Sequence, residues 1–469
     1  MNKVIGLVLG PLVFILLIIL PISDLSHEAQ SVLALTFWMA IWWVSEAIPL
    51  PATALLPLVV LPLTEAVDIK QTAQVYSSPI IYLFLGGFAM ALSIERWQLH
   101  KRLALNIILK VGDRNSSIIL GFMLATALLS MWISNTATSL MLLPIALAIL
   151  SELEEHSGES ADGPFAQALL LSIAYSASIG GTATLIGTPT NLIFSAASES
   201  LLQTPVSFTD WMLRAAPLSI LSLLLCWLYL TRAKFRFANT HHPELKPLIQ
   251  QKLDLLGPLR YEEKWILIVF GLAVFGWIFR TLFLQSWLPG LSDAGIAIMG
   301  ALVLFILPAR EKGRRLLEWP DMKALPWGIL LLFGGGLSLA AAFSSSGLAA
   351  WLAERFLFLH GIPTFVILLF LVTAVNFITE ITSNVATASV LMPVLASLGN
   401  SLGIDSFTLM FACAVTASYA FMLPVATAPN AVVFSSNRIP IHAMARTGFA
   451  LNVMSILLIS LYHYIFFPL

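Results

Sequence analysis

Long apolar runs separated by short polar turns make up almost the whole chain. A helix needs roughly 20 apolar residues to cross a bilayer. Runs near that length predict eleven transmembrane helices at 5–22, 31–47, 48–63, 78–95, 165–196, 211–233, 263–283, 291–308, 326–344, 405–436 and 446–466. Two further apolar blocks, 116–150 and 363–400, are too long for one crossing. We predict that each block is a hairpin that enters the membrane and turns back.

Both hairpin blocks carry polar residues at their centres. The first contains WISNTATSLMLLP at 132–144 and the second contains EITSNVATASVLMP at 380–393. Amides and hydroxyls at membrane depth are costly unless they are paired or used, so these centres are candidate functional sites.

Composition places the chain in a membrane. Of its 469 residues, 58% are hydrophobic and 10% are charged, and the mean hydropathy is +0.90. Soluble domains carry about a quarter charged residues, so the fold class predicted is an all-α polytopic membrane protein surrounded by a lipid bilayer. The first run lacks a small-residue cleavage site, which favours an uncleaved span over a signal peptide. Cys226 and Cys413 lie in apolar runs and suggest neither disulfide nor metal site.

The placement of basic residues fixes a predicted orientation. With the N-terminus in the cytoplasm, eleven spans and two hairpins, 20 of the 24 Lys and Arg residues fall on the cytoplasmic side. This bias follows the positive-inside rule, and it would be lost if either block crossed the membrane once. The orientation predicts a multi-pass membrane protein with a cytoplasmic N-terminus and a periplasmic or extracellular C-terminus.

The two polar centres belong to an internal repeat. Three residue pairs are each 249 positions apart: Gly86 and Gly335, Asn135 and Asn384, Pro144 and Pro393. GTPTN at 187–191 is matched by TAPN at 427–430. The predicted hairpins enter from opposite sides, so the halves form an inverted-topology repeat. Inverted repeats with interrupted helices are typical of secondary transporters, whose sites lie between the repeats.

The repeat divides the chain into five segments. We predict first-half scaffold helices with an interfacial helix in 1–115, a first transport region with hairpin and broken helix in 116–233, and a cytoplasmic linker in 234–262. The second-half scaffold with its interfacial helix then occupies 263–362, and the second transport region occupies 363–469.

The hairpin tips can bind opposite charges side by side. Half-helices that begin at a tip leave N–H groups free to bind a carboxylate, whereas ends of half-helices leave carbonyls that can bind a small cation. Neither tip nor either Pro/Asn break contains Lys or Arg. A bound anion would therefore need co-bound cations to offset its charge at low dielectric.

Small polar residues inside apolar runs can also have a purely structural role. Small hydroxylated residues mediate helix packing in membranes, although duplication at a fixed spacing favours a transport site. Glu380 lies three residues before Ser383. Three roles are consistent with this position: Glu380 could tune cation binding, carry a proton, or act as a structural hydrogen-bond partner.

The motifs resemble the divalent anion/sodium symporter family, specifically its bacterial INDY-type dicarboxylate transporters. The resemblance rests on four segments: SNTATSLMLLP at 134–144, IGTPTNLIF at 186–194, TEITSNVATASVLMP at 379–393 and PVATAPNAVVF at 424–434. It implies a homodimer in the bacterial inner membrane, with eleven spans and two re-entrant hairpins per protomer. It also implies an elevator mechanism, in which a transport domain slides against a fixed scaffold.

The resemblance also implies site residues. Substrate would be bound by Ser134, Asn135, Thr136, Thr188, Pro189, Ser383, Asn384, Val385 and Thr427. A first Na⁺ site would use Ser130, Ser134, Asn135 and Gly187, and a second would use Thr379, Ser383, Asn384 and Ala426. A symmetrical motif would have Thr at position 385, so the second tip lacks one hydroxyl. Val385 therefore leaves the choice between dicarboxylate and tricarboxylate open.

The leading hypothesis is Na⁺-coupled import of C4-dicarboxylates such as succinate, malate and fumarate. Na⁺ would be the co-transported ion, and we expect no organic cofactor and no nucleic-acid partner. The alternatives are a dicarboxylate exchanger, a symporter that prefers citrate or sulfate, and a channel. An enzyme is not expected, because the sequence has no intramembrane Asp pair, His cluster or Ser/His arrangement.

Overall fold

The computed structural model describes residues 3–157, 163–311 and 313–467. Within these residues the chain is helical throughout, and its only β-type pairings are two isolated bridges. The first half contains α1 Lys3–Ile19, α2 His27–Ser45, α3 Leu50–Thr53, α4 Leu56–Leu63, α5 Ile69–Val75, α6 Pro79–Arg96, α7 Leu99–Val111, α8 Asn115–Ser130, α9 Asn135–Ser157, α10 Pro164–Gly181, α11 Pro189–Leu202 and α12 Phe208–Leu228.

A π-helical segment, Tyr229–Lys234, follows α12, and the linker holds one helix, α13 Leu245–Leu255. The second half contains α14 Tyr261–Phe279, α15 Gln285–Trp287, α16 Asp293–Ile306, α17 Trp327–Ser345, α18 Leu348–Arg355, α19 Thr364–Thr379, α20 Asn384–Leu402, α21 Ser406–Ala417, α22 Ala428–Phe434 and α23 Ile441–Phe466. A second π-helical segment, Arg280–Leu284, precedes α15, and short 3₁₀ helices lie at Trp319–Ala324 and Leu357–Leu359.

The helices confirm a multi-pass membrane fold. Seven helices of the described residues are long and apolar enough to span a bilayer, and an eighth does so if Leu348–Leu359 and Thr364–Thr379 form one bent span. Five further apolar helices have 10–17 residues. The number of eleven crossings and the re-entrant course of the two hairpins stay predictions.

One predicted span differs from the structure. The apolar run 48–63 is divided into two short helices, α3 and α4, instead of forming one. Each begins with a proline in its first turn, Pro51 and Pro57. Pro57 has no N–H with which to continue the helix from α3, whereas proline is well tolerated in the first turn of a new helix.

Glycine pairs let the two halves of the repeat interleave. A Cβ on Gly86 of α6 would lie 2.5 Å from the Ala297 carbonyl carbon of α16. A Cβ on Gly335 of α17 would lie 2.4 Å from the Ala54 carbonyl oxygen, at the end of α3. Each glycine-rich helix thus touches the backbone of the opposite half, which explains why both positions of the repeat hold glycine.

The core lies around the broken helices. In α10 and α21 nearly every residue is buried, including the large side chains Tyr175 and Phe411. A smaller cluster joins α2, α4, α17 and α18, and includes Ala386 of α20. α20 therefore packs against elements of both predicted scaffold segments.

Segments predicted to share the cytoplasmic side are in contact with one another. Three bonds join them: Arg96 Nη2 to Glu318 Oε2 at 3.0 Å, Arg102 Nε to Glu263 Oε1 at 3.0 Å, and Asn115 Nδ2 to Ala238 O at 2.8 Å. We call the surface formed by residues 96–114, 232–264 and 313–323 the basic face.

Candidate functional site

A cavity of about 760 Å³ contains both hairpin tips and both Pro/Asn breaks. Its wall includes all nine residues predicted to bind substrate: Ser134, Asn135, Thr136, Thr188, Pro189, Ser383, Asn384, Val385 and Thr427. Gly187 and Ala426, predicted for the Na⁺ sites, line it as well. Ser130 and Thr379 lie fully buried behind the tips. Residues that are hundreds of positions apart in sequence thus face one space.

Each tip is a helix start that faces the cavity. α8 ends at Ser130 and α9 begins at Asn135, while α19 ends at Thr379 and α20 begins at Asn384. The first turns of α9 and α20 have N–H groups without partners inside their own helices, and such groups attract anions. The tips can therefore bind carboxylates from two sides.

The Ser hydroxyls at the two tips are used differently. Ser134 Oγ accepts a hydrogen bond from the N–H of Ala137 at 3.2 Å and so caps α9. Ser383 occupies the capping position of α20, but its hydroxyl makes no capping bond. Both hydroxyls can donate their proton to a ligand. They differ in that the Ser134 oxygen also accepts a capping hydrogen bond, whereas the Ser383 oxygen does not.

Behind the first tip lies a cluster of oxygens. Ser130 Oγ is within hydrogen-bond distance of both Asn135 Oδ1 and the Ala177 carbonyl, the latter at 2.8 Å. A hydroxyl has one proton, so it can donate to only one of these two acceptors. Hydroxyl, amide and carbonyl oxygens therefore converge behind the first tip, where they can act as ligands of a small cation.

The second tip repeats this cluster. Thr379 Oγ1 lies 2.7 Å from Asn384 Oδ1 and 2.8 Å from the Ala417 carbonyl. Again one proton serves two acceptors. Neutral hydroxyl, amide and carbonyl oxygens are the ligands that hard cations such as Na⁺ prefer, and both clusters consist of them.

Glycines bring backbone close to the first oxygen cluster. A Cβ on Gly181 would lie 2.6 Å from Asn135 Oδ1, and a Cβ on Gly187 would lie 2.3 Å from the Gly181 carbonyl oxygen. Side chains at these positions would push the loop away from the tip. In the second half, Ala420 and Ala426 stand at the matching positions, so this tight approach is particular to the first half.

Two asparagines stabilise the unwound segments of the broken helices. The sequence had not assigned either of them a role. Asn191 Nδ2 donates to the carbonyls of Thr184 at 2.7 Å and Gly181 at 3.1 Å. Asn430 Nδ2 makes the matching bonds to Leu423 at 3.0 Å and Ala420 at 3.1 Å. These bonds satisfy loop carbonyls that have no helical partner. The final Asn in GTPTN and TAPN was the sequence feature that pointed to them.

The two breaks also touch each other. Thr190 Oγ1 of the first break lies 2.7 Å from Ser418 Oγ of the second. This contact joins α11 to the end of α21. The two halves of the repeat therefore form one site and not two separate ones.

Glu380 lies outside the cavity wall and acts on the second break. Its carboxylate accepts hydrogen bonds from the N–H groups of Phe421 at 2.7 Å, Met422 at 2.9 Å and Leu423 at 3.1 Å. Asn452 Nδ2 of α23 donates to the same carboxylate at 2.8 Å. Of the three roles left open by the sequence, the structure supports the structural hydrogen-bond role. Asn452 was missed because nothing in its local sequence connects it with a residue 72 positions earlier.

Few charged side chains line the cavity. Lys3, Glu46 and Glu95 are the charged residues among the described lining, and Lys3 Nζ lies 3.7 Å from Glu46 Oε2. The exposed Lys3 and Glu46 show that the cavity opens to solvent, beside Ala324 and thus next to the basic face. The tip residues that line the cavity are themselves all uncharged.

Comparison with known proteins identifies a family, similar full-length sequences and solved structures with a similar fold. The model of the family described as sodium:sulfate symporter transmembrane region matches residues 1–468. A protein of Staphylococcus saprophyticus named sodium-dependent dicarboxylate transporter SdcS is 44% identical over 476 residues, which cover all of this chain and 92% of that protein. A protein of the same name from Staphylococcus aureus is 44% identical over 477 residues, with the same coverage.

Two solved structures share the fold at low sequence identity. The Alcanivorax borkumensis YdaH transporter superposes with a TM-score of 0.58 and 17% identity, covering 93% of this chain and 98% of that one. Neisseria gonorrhoeae MtrF superposes with a TM-score of 0.60 and 14% identity, covering 95% of this chain and 96% of that one. At these identities the likeness concerns the fold alone.

Proposed function

The chain belongs to the family of the sodium:sulfate symporter transmembrane region, and from that premise we propose that it imports C4-dicarboxylates such as succinate, malate and fumarate together with Na⁺. Its full-length relatives are named as sodium-dependent dicarboxylate transporters, not as enzymes. Their names support Na⁺ as the co-transported ion and a dicarboxylate as the substrate.

The observation that carries the proposal is the pair of matching oxygen clusters behind two helix starts in one cavity. Each cluster places a hydroxyl between an amide oxygen and a carbonyl oxygen. No Lys or Arg lines the described tips. A dianion at such a site needs positive charge from elsewhere, and a Na⁺ ion in each cluster supplies it at short range.

In the proposed binding mode, each carboxylate of the substrate meets one tip. Ser134, Asn135 and Thr136 bind one end, while Ser383 and Asn384 bind the other. Thr188, Pro189 and Thr427 form the wall between them, and Val385 contributes an apolar contact. The paired tips favour a ligand with two carboxylates separated by a short carbon chain. Citrate or sulfate preference on the same fold is the alternative.

An elevator movement is the mode of transport proposed for this layout. The moving part would comprise 116–233 and 363–469, and the fixed part the early helices with 263–358, paired with a second protomer in a homodimer. The cavity mouth beside the basic face supports an arrangement open to the cytoplasm, because basic residues favour that side. Alternating access then requires the tips to move toward the opposite face.

Replacing Asn135 or Asn384 by Ala tests the site. Each change removes an amide oxygen from a cation cluster and shortens a tip. We expect uptake of labelled succinate by proteoliposomes to fall below a tenth of the wild-type rate, since a lost charge-assisted contact costs about 1.5–3 kcal/mol. Asn106→Ala is the matched control, because Asn106 Nδ2 bonds only the Arg102 carbonyl of its own helix. Unchanged succinate uptake in both Asn135→Ala and Asn384→Ala would show that the tips do not take part in transport.

Vesicle uptake separates the substrates and the coupling modes. Succinate uptake is measured against external Na⁺, with citrate, malate and sulfate as competitors. The proposal predicts saturable uptake that requires Na⁺ and is inhibited by malate more strongly than by citrate or sulfate. Uptake that needs internal succinate but no Na⁺ gradient would identify an exchanger instead.

A further inference from the structure

A second pocket of about 500 Å³ lies where α12 passes into the linker. It is lined by Ser116, Thr231, Arg232, Phe235, Arg236, Phe237, Ala238 and Asn239. None of these residues lines the transport cavity. The pocket is therefore a separate feature of the basic face.

The two arginines of this pocket have no carboxylate partner. Both are exposed, and no described acidic residue pairs with either one. Three other arginines of the basic face do pair with carboxylates: Arg96 with Glu318, Arg102 with Glu263 and Arg314 with Glu311. Two free guanidinium groups in one concave space form a site for an anion with several oxygens, such as a phosphate.

Asn239 adds a third donor. Its Oδ1 accepts hydrogen bonds from the backbone N–H of Ser116 at 3.0 Å and from Ser116 Oγ at 2.8 Å. With the oxygen engaged in this way, Asn239 Nδ2 is left as the group that can donate to a ligand. The pocket thus presents donors on several sides and no described carboxylate.

The shape of the pocket is held by neighbouring contacts. The α-helix α12 widens into the π-helical segment Tyr229–Lys234, and the N–H of Phe235 closes its last turn on the Leu230 carbonyl at 3.3 Å. Phe235 is buried, and Phe237 packs edge-to-face on Phe165 at 5.7 Å. These anchors fix the backbone on both sides of Arg236. π-Helical turns occur frequently at functional sites.

The position along α12 indicates headgroup depth. Leu224 and Leu228 are 49% and 44% exposed on an apolar helix, as expected for side chains that face acyl chains. Arg232 lies one turn beyond Leu228, about 6 Å further along the axis. Trp227 Nε1 donates to the Ser116 carbonyl at 3.0 Å, beside the pocket. Tryptophan and arginine at a helix end mark the membrane interface.

We propose that this pocket binds the phosphate of an anionic phospholipid. Arg232, Arg236 and Asn239 bind the phosphate oxygens, and the acyl chains lie along Leu224 and Leu228. A lipid is favoured over a soluble phosphate because the donors stand directly above an apolar, exposed helix face. The lipid would hold the end of α12 against the start of α8.

The test is lipid retention by the purified full-length protein, measured by native mass spectrometry with phosphatidylglycerol and with phosphatidylcholine. The double variant Arg232→Gln/Arg236→Gln should retain roughly thirtyfold less phosphatidylglycerol than wild type, since each of the two basic residues contributes on the order of 1 kcal/mol. Lys110→Gln/Lys234→Gln is the control, because it removes two charges of the basic face that do not line the pocket. This control should retain phosphatidylglycerol within about twofold.

Three further results decide the proposal. The charge-conserving variant Arg232→Lys/Arg236→Lys should recover most of the retention, which shows that loss in the Gln variant is not misfolding. Equal retention of phosphatidylglycerol by wild type and the Gln variant would overturn the proposal. Displacement of phosphatidylglycerol by millimolar inorganic phosphate would also overturn it, since the site would then belong to a soluble ion.

Discussion

At the scale of single residues, the two buried hydroxyls behind the tips are the most informative groups. Ser130 and Thr379 are 249 positions apart, and each lies between an amide oxygen and a carbonyl oxygen. What distinguishes them from other buried hydroxyls is that each lies beside the asparagine that begins a tip helix, at matching positions of the repeat. The proposed cation sites rest on this duplication.

Replacing Thr379 by Val tests the second cation cluster. Val has nearly the same shape but no oxygen, so the Asn384 and Ala417 oxygens lose the group between them. We expect the Na⁺ concentration for half-maximal succinate uptake to rise by about tenfold, as a lost ligand costs roughly 1.5 kcal/mol.

Thr373→Val is the matched control for that variant. Thr373 lies on the same helix, α19, and its hydroxyl bonds only the Leu369 carbonyl one turn earlier, at 2.7 Å. Its Na⁺ dependence should match that of wild type. An unaltered Na⁺ dependence in Thr379→Val would show that the second cluster binds no transported ion.

At the scale of elements, the second broken helix depends on an acidic side chain that the first does not have. Glu380 collects three N–H groups of the unwound segment and one amide of α23. Met131 holds the matching position in the first half, where Thr184 Oγ1 donates to the Met131 carbonyl. The unwound segments of the two halves therefore find different hydrogen-bond partners. Only the second break is connected to α23 through Glu380.

Replacing Glu380 by Gln tests this tie. The amide has one acceptor oxygen where the carboxylate has two, so at least one buried N–H group loses its partner, at about 1–3 kcal/mol. We expect a lower midpoint of thermal unfolding and a lower maximal uptake rate. Asn452→Ala should shift both in the same direction by less. Glu354→Gln, on an exposed side chain of α18, is the control.

A proton-carrying role for Glu380 predicts a different result. Uptake would then depend on the proton gradient in wild type, and Glu380→Gln would abolish that dependence without changing the unfolding midpoint. A structural role for Glu380 predicts that the midpoint of thermal unfolding falls in Glu380→Gln. It also predicts that wild type and Glu380→Gln depend on the proton gradient to the same extent.

At the scale of the whole molecule, an elevator requires contacts between α17 and α20 to change during transport. α17 belongs to the proposed fixed part and α20 to the moving part. A Cβ on Gly336 of α17 would lie 3.3 Å from the Cβ of Ser389 on α20. That separation is close to the Cβ distance of a disulfide, so a bridge can form here with a small adjustment.

Cross-linking Gly336→Cys/Ser389→Cys should therefore arrest transport. The native Cys226 and Cys413 are buried and should not compete. Under oxidation we expect uptake to be lost, and reduction should restore it. Each single variant should be insensitive to oxidant. Full uptake by the cross-linked protein would contradict sliding between these two helices.

Much of this architecture could be predicted from the sequence, for reasons that are physical. Ser134 and Asn135 stand out because polar residues are rare inside apolar runs, and their copies at Ser383 and Asn384 reveal the repeat. The division of 48–63 was missed because the prediction followed the length of the apolar run and did not weigh Pro51 and Pro57 within it. The bond between Asn452 and Glu380 depends on tertiary packing, which no local pattern encodes.

Equilibrium binding of labelled succinate to the purified protein tests the central claim most directly, because it separates ion dependence from movement. The measurement compares Na⁺ with choline at constant ionic strength. If neutral dipoles and co-bound cations form the site, succinate should bind only with Na⁺, and its affinity should rise steeply with Na⁺ concentration. Equal affinity for succinate in Na⁺ and in choline would contradict the account.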